Sequence, residues 1–385
     1  MSSIHALANS NSDALTGSAT PLRVLAWPID PRNPYTASLY TDMGQDVRVE
    51  EFSMPNLRHR YDVWHVHWPE ALLNIRNPAL ASAKLAAFLA MIDWVRLRGG
   101  KIVWTVHNLK AHDNLHPRIE AMFYRRFIGH VDGVISLSDT GLQMAQEKFG
   151  RLRDLPAVII RHGHYRNQYP QCPPDARAAL GIDDDTRVIL FFGEVRGYKN
   201  VDALVRAFRG VKDERVHLLI AGRPKNAELG AGIAKEAARD TRVRLELAFI
   251  EPARVGKYFG AADLVVLPYR HILNSGAALL ALSFNRPVLV PDIGSMGELA
   301  ADFGDKWIRK FSGEIDAAKL ESALEWAGRP RPRECPMPPE YLWETIRSQT
   351  LGFYRQVMSA RQYGTKAGAP LRDKQILQQH SAGEQ

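Results

Sequence analysis

Residues 188–200, VILFFGEVRGYKN, decide the fold. Five apolar residues, Val188 to Phe192, run into a glycine-containing loop. After it Val201, Leu204, Val205 and Phe208 recur at helical spacing. A short apolar run bounded by turn signals reads as a strand buried on both faces of a parallel sheet. The stretch is therefore strand, loop, helix. Open α/β sheets bind ligands in such loops, at the carboxyl ends of their strands. This loop carries Arg196 and Lys199 around Tyr198. A guanidinium and an ammonium near a helix N-terminus suit a diphosphate. A solvated basic loop would have the same composition, so the surrounding pattern must decide.

The same alternation extends on both sides. Before the stretch, strands are expected at Leu22–Trp27, Asp46–Phe52, Tyr61–Val66, Lys101–Val106, Val131–Leu137 and Ala157–Ile160. Helical stretches separate them, among them 78–98, Arg118–Ile128 and Thr140–Lys148. After it, strands are expected at Val216–Ala221, Val243–Ala248, Leu264–Pro268 and Pro287–Val290. Helices are expected at Ala227–Asp240, Arg254–Gly260, Gly276–Ser283 and Met296–Phe303. Such alternation builds right-handed βαβ units and a parallel sheet. The 385 residues exceed the ~250–300 that one core sustains, so two domains are expected. The fold class read here is α/β, two doubly wound domains facing a cleft, with a C-terminal helix. The expected organisation is a disordered 1–20, a first domain 21–168, a linker 169–186 and a second domain 187–328. A Pro-rich stretch and helix packing across the domains, 329–362, and a flexible tail, 363–385, follow.

Composition narrows the partners. Apolar content of 45% and charge of 24% are ordinary for a globular chain. Cys172 and Cys335 are the only cysteines, which fits a reducing compartment. The polar N-terminus has no apolar h-region, and no run approaches the ~20 apolar residues of a spanning helix. A cytoplasmic location follows as an expectation. The net charge is +8, which suits nucleic acid, an anionic membrane or phosphorylated substrates. No Lys/Arg block or nucleic-acid module is present. The stretch RIEAMFYRRFIGH, 118–130, could lie on the anionic inner face of a membrane or be a solvated face.

A second strand, loop and helix spans Pro268, Tyr269, Arg270, His271, Ile272, Leu273, Asn274, Ser275 and Gly276, then AALLALSF. Asn274 or Ser275 would cap the helix, whose free N–H groups could hold a phosphate. Glu251, ending a neighbouring strand, could bind base or ribose. In the first half, polar side chains gather at strand ends: His65, His67, Trp68 and Glu70; His107 and Asn108; His162 and His164. A metal site is conceivable because His65-x-His67 can chelate, but successive strand residues alternate faces, and no carboxylate or cysteine completes a close set. No metal site and no resident cofactor is expected. A general base for an acceptor hydroxyl fits better, with Glu70 and His107 leading and His67 and His162 behind. Asp183, Asp184 and Asp185 read as a solvated turn.

The segments YDVWHVHWPE, TVHNLKAHD, RHGHYRN, FFGEVRGYKN and LVVLPYRHILNSGAALLALSFNRPVLVP resemble, in order, the xanthan-type GDP-mannose:glycolipid β-mannosyltransferases of exopolysaccharide assembly. The resemblance covers about residues 22–350. It implies a GT-B fold of two Rossmann-like domains, with a nucleotide sugar, best GDP-mannose, bound by the C-terminal half. It implies a polyprenyl-diphosphate-linked oligosaccharide acceptor, inversion without a bound metal, and peripheral attachment to the inner membrane face. It carries Arg196 and Lys199 onto the diphosphate, Asn274, Ser275 and Gly276 onto the second phosphate-binding helix, and His107 near the sugar. Where the broader superfamily often has two glutamates, this chain has Ile272 and Leu280, against a retaining mechanism. A UDP-sugar donor, a nucleotide-sugar epimerase and a non-catalytic membrane-side scaffold are the alternatives.

Overall fold

The computed structural model describes residues 21–29, 33–111 and 115–360. The expectations for 1–20 and 363–385 lie outside the described residues. The first sheet contains β1 (Leu22–Trp27), β2 (Val47–Glu51), β3 (Val63–Val66), β4 (Lys101–Val106), β5 (Gly133–Ser136) and β6 (Ala157–Ile159). The second contains β7 (Arg187–Phe192), β8 (Val216–Ala221), β9 (Val243–Glu246), β10 (Leu264–Val266), β11 (Val288–Pro291) and β12 (Ile308–Phe311). The helices are α1 (Pro34–Tyr40), α2 (Pro78–Leu97), α3 (Pro117–His130), α4 (Asp139–Lys148), α5 (Val201–Phe208) and α6 (Ala227–Ala237). They continue with α7 (Pro252–Ala261), α8 (Gly276–Ser283), α9 (Met296–Phe303), α10 (Ala317–Ala327) and α11 (Trp343–Ser359).

Every strand pair is parallel. The strand orders are β2-β1-β3-β4-β5-β6 and β12-β11-β10-β7-β8-β9. In the second sheet the chain winds outward from β7 in both directions, so the order reverses between β7 and β10. The crevice at such a reversal is where doubly wound sheets hold ligands. The loops after β7 and β10 flank it, and they are the two phosphate-type loops of the sequence. In the first sheet the reversal lies between β1 and β3, which puts α1 and His67 at its crevice.

The apolar strands specify the cores. All six residues of β4 are buried, and Val188 to Phe191 of β7 are fully buried. Two glycines let the second sheet close: Gly193 has φ +123° and Gly222 has φ +150°. A Cβ on Gly222 would stand 2.0 Å from the Gly193 carbonyl oxygen, so no larger residue fits.

Two features depart from the sequence reading, and a third is the expected C-terminal helix. β12 and α10 were not anticipated, because IRKF is short and charged, as edge strands often are. α2 is long and apolar enough to cross a membrane by length and composition, against the expectation that no run is. Its Ala81, Leu85, Phe88, Ile92 and Val95 nevertheless form one buried stripe against the first sheet. α11 returns to the first sheet, where Ile346, Phe353, Tyr354 and Val357 join Val24, Val63 and Val103.

Candidate active site

The β7 loop turns at Gly193, and a short 3-10 turn, Gly197–Lys199, leads to Asn200 in the left-handed region at φ 57°. This folds Lys199 back over the strand end. A Cβ on Gly193 would lie 3.5 Å from its Nζ. The ammonium sits 5.7 Å from the centre of the Tyr269 ring. Burial pushes the Lys199 pKa down to about 8, with the Glu194 carboxylate opposing and Arg196 reinforcing. Arg196 is held by Glu194, Nε to Oε2 at 3.0 Å. The Arg270 amide donates to the Tyr198 carbonyl at 2.8 Å, tying the two loops together. Tyr198 and Tyr269 meet edge to face. The structure thus gathers Arg196, Tyr198, Lys199 and Tyr269 at one crevice.

Ser275 caps α8, its Oγ accepting from the Ala278 amide at 3.2 Å. Gly276 opens the helix. A Cβ there would stand 2.7 Å from the Tyr165 hydroxyl and 3.7 Å from His162 Nε2, both of the segment leaving the first sheet. The mouth of α8 is therefore walled by the segment that joins the two sheets. Asn274 lies beside Ser275 and is tied into the seam. Its Oδ1 accepts from Ser138 Oγ at 3.2 Å across the seam, and its buried Nδ2 has no partner. It lines a cavity of about 30 Å³ with Arg161, Glu298 and Tyr341, enough for one water. Glu251 stays apart. It is exposed before α7 and makes no capping bond. β9 lies two strands from β7, roughly 10 Å.

Across the crevice, the first half presents a buried histidine cluster. His65 and His67 are two residues apart and share a face, so strand alternation does not separate them, contrary to the sequence argument. Their rings lie 4.2 Å apart. Their nitrogens are engaged by neighbours. Tyr40 Oη bonds His65 Nδ1 at 2.8 Å and His67 Nε2 at 2.5 Å. Tyr354 of α11 bonds His65 Nδ1 at 2.6 Å, and Thr105 bonds His65 Nε2 at 2.6 Å. His67 Nδ1 meets His107 Nε2 at 3.1 Å. Burial holds His65 down to about 3 and His162 to about 4, and holds His67 and His107 well below the ordinary range. All four rings are neutral at pH 7. Trp68 stacks on His107 at 4.1 Å, and Tyr35 packs between His107 and His162 at 4.9 and 4.8 Å. The second nitrogen of His107 makes no hydrogen bond among the described residues, and it is not sealed from solvent. Among the described residues no set of three or more His, Cys, Asp or Glu side chains is arranged to hold a metal ion.

Glu70 and His107 do not meet. Glu70 is 2% exposed; its Oε1 accepts from Asn108 Nδ2 at 2.7 Å and its Oε2 is buried without a partner. Burial pushes its carboxyl up to about 7, Asn108 opposes, and Glu120 of α3 adds to the rise. The buried Tyr124 hydroxyl feels the same two carboxyls. Glu70 therefore sits among groups of the α3 side.

Sequence reasoning missed Tyr35, Tyr40, Tyr165 and Tyr354, which pack or bond the histidines. It also missed the seam between the halves. Glu298 of α9 accepts from the Asp139 and Thr140 amides at the start of α4, at 2.9 and 2.7 Å. It also accepts from Arg161 at 2.6 Å. Tyr165 lies in RHGHYRN, next to His162 and His164; partners more than a hundred residues apart, such as Arg161 and Glu298, leave no signal in the sequence.

Residues 186–323 match the model of the family described as glycosyl transferases group 1. The chain is 34% identical over 294 residues to the GDP-mannose:glycolipid 4-β-D-mannosyltransferase of Xanthomonas campestris pv. campestris, covering 76% of this chain and 79% of that one. It is 25% identical over 321 residues to the D-inositol 3-phosphate glycosyltransferase of Gordonia bronchialis, covering 76% and 65%. Among solved structures, HepE of Anabaena in complex with UDP superposes with a TM-score of 0.63 at 16% identity, covering 87% of this chain and 100% of that one. Sucrose-phosphate synthase of Thermosynechococcus elongatus gives 0.59 at 17%, covering 88% and 89%.

Proposed function

Because the chain belongs to the glycosyltransferase family of its Xanthomonas relative, a GT-B glycosyltransferase, we propose that it transfers mannose from GDP-mannose to a lipid-linked oligosaccharide, with inversion, in exopolysaccharide assembly. The observation that carries this reading is the paired crevice. Lys199, Arg196 and the mouth of α8 stand on one side, and His107, Tyr35 and His162 on the other.

In this reading the donor diphosphate lies on Lys199, Arg196 and the free amides of α8. These groups stabilise the negative charge that grows on the leaving phosphate, a role a bound metal would otherwise fill. The acceptor hydroxyl attacks the anomeric carbon from the opposite face, and its proton passes to a base of the first half. A base must first be within reach, and only then does its pKa matter. His107 has, in a half-buried ring, a nitrogen without a hydrogen-bond partner among the described residues, whereas Glu70 is fully buried. We therefore assign His107 as proton acceptor and Glu70 as the carboxyl that anchors Asn108 beside it. Glu251 is assigned to the nucleoside end, and Asn274 to holding the α8 loop against the first half.

The reading also includes peripheral attachment to the inner membrane face. α2 exposes Ala79, Ala83, Ala86 and Ala90, then Trp94 and the 83% exposed Leu97. Arg98 stacks over Trp94 at 4.6 Å, with Arg58 and Arg60 beside it. α3 exposes Arg118, Met122, Arg125 and Arg126. An apolar ridge bordered by cations suits an anionic lipid surface.

The test is a thermal-shift panel of GDP, UDP, GDP-mannose, UDP-glucose and UDP-glucuronate, with and without Mg²⁺, followed by transfer to a lipid-linked glucan. A ligand that binds only the folded state raises its apparent stability. Stabilisation by GDP and GDP-mannose alone, with transfer giving a β-linked product, is the expected result. Stabilisation by uridine nucleotides alone would overturn the mannose assignment, and binding without transfer would favour a scaffold.

A further inference from the structure

Behind the crevice, a second cavity of about 560 Å³ opens between segment 165–172, the carboxyl end of α8 and residues 333–334. Three guanidinium groups line it, Arg166, Arg286 and Arg333, against one carboxylate, Glu334. Arg166 is fixed: it donates to Asn285 Oδ1 at 3.2 Å and to the Cys335 carbonyl, and stands 4.0 Å from Glu334. Asn285, in the left-handed region at φ 58°, also accepts from the Cys335 amide at 2.9 Å. This pins the 333–335 segment to the end of α8. The other two guanidinium groups are unused. Arg286 and Arg333 make no side-chain hydrogen bond or ion pair among the described residues, and the Arg286 Nε is buried without a partner.

Two guanidinium groups in the lining of one cavity, without protein partners among the described residues, leave N–H donors that an anion there would satisfy. Phosphate matches the planar fork of an arginine two bonds at a time. The volume falls within the usual range for small-molecule sites and is far larger than a phosphate ion needs. Tyr165, Tyr169 and Phe284 add ring faces, and Gln171 and Asn167 add polar groups suited to hydroxyls. We propose that this cavity binds a phosphorylated sugar, its phosphate on Arg286 and Arg333 and its ring against the tyrosines.

The site is placed to act on the crevice. Tyr165 lines the cavity, donates its amide to Ser283 Oγ at 2.9 Å, and covers Gly276 with its hydroxyl end. A ligand here ties segment 165–172, which connects the two sheets, to α8, so occupancy changes how the halves meet at the α8 mouth. Binding itself does not depend on the donor reading; its effect on transfer does.

The test titrates the full chain by calorimetry with mannose 6-phosphate, mannose and inorganic phosphate, using wild type, Arg286→Gln, Arg333→Gln and Lys199→Ala. The expected result is binding of mannose 6-phosphate by wild type and Lys199→Ala, and no binding of mannose. Each arginine variant should bind about tenfold more weakly or worse, the scale for a hydrogen bond to a charged group. Arg333 is exposed, so its variant tests the proposal even where Arg286→Gln misfolds. Absence of binding, unchanged affinity in Arg333→Gln, or loss in Lys199→Ala alone would overturn the site. Inorganic phosphate binding as tightly as the sugar phosphate would overturn the assignment of the larger ligand.

Discussion

Replacing Glu70 by glutamine separates the burial of this carboxyl from its chemistry. The side chain is 2% exposed, one oxygen lacks a partner, and burial raises its pKa from 4.5 to about 7. A carboxyl whose folded pKa lies above its unfolded value holds an extra proton in the folded state between the two. Stability is then greatest below the unfolded value and falls as pH rises, until the folded group has also ionised. With 4.5 and about 7, the loss amounts to about 1 kcal/mol by pH 5.5 and about 3 kcal/mol by pH 8.5. Glutamine does not titrate, so the variant escapes this loss. It keeps an oxygen for Asn108 and buries an unpaired amide, a cost of about 1–3 kcal/mol that does not vary with pH. The stability of Glu70→Gln minus that of wild type should therefore rise by about 2 kcal/mol between pH 5.5 and 8.5. That is about 4–8 °C in the melting of the first half, at roughly 2–4 °C per kcal/mol. Scanning calorimetry of both proteins at the two pH values reads it directly. A difference that stays constant with pH would refute the buried, neutral carboxyl. Transfer activity within about threefold of wild type agrees with His107 as acceptor of the proton; a loss of 10²-fold or more would return that role to Glu70.

Lys199→Ala should weaken donor binding at least tenfold while leaving the fold intact, because a charged bond to phosphate is worth about 1.5–3 kcal/mol; unchanged affinity would remove Lys199 from the diphosphate. With its pKa depressed to about 8, Lys199 loses its charge as pH rises through that value, so donor kcat/KM should fall on an alkaline limb near 8. Lys199→Arg should abolish that limb, and its persistence would assign it elsewhere. Gly276→Ala puts a methyl group 2.7 Å from the Tyr165 hydroxyl, so transfer should drop more than tenfold as the α8 mouth is displaced; normal kinetics would show that Tyr165 yields freely. Glu298→Ala should destabilise the chain by about 2–4 kcal/mol, measured by melting, because it unpairs two helix amides and removes the 2.6 Å partner of Arg161, which keeps Asp139 and Asp302, and a neutral result would make the seam incidental.

What the sequence disclosed depended on the range of the interaction. Strand β7, its loop and the start of α5 are local, and they follow one another within residues 187–204. The same holds for Ser275 as the cap of α8, since a cap bonds its own helix. Asn274 looked equivalent at one residue's remove. Its partner, Ser138, is 136 positions away, and only the folded seam turns its oxygen towards it. Glu70 and His107 both followed strand ends, which placed them on one edge of a sheet. Depth was not encoded: Glu70 lies fully buried in a turn that packs against α3, and His107 lies half-buried in a loop under Trp68 and Tyr35. The strand-alternation argument against a paired His65 and His67 failed because residues two apart point the same way.

The seam gives the fold its asymmetry. The crevice of each sheet is built locally, from loops at its own order reversal, but neither is complete. The mouth of α8 is walled by Tyr165 and His162, and the histidine cluster is held by Tyr354 from α11. Gly276, which tolerates that wall, is the residue where the two halves limit each other. Opening the seam would free the α8 amides but remove the His162 wall, while closing it brings the two sides of the crevice together. Arg161 and Glu298 join the halves at one end of this contact, and the arginine-lined cavity lies behind the other. A change that loosens the seam should therefore raise the donor off-rate and lower transfer together, whereas a change confined to the β7 loop should alter donor affinity alone.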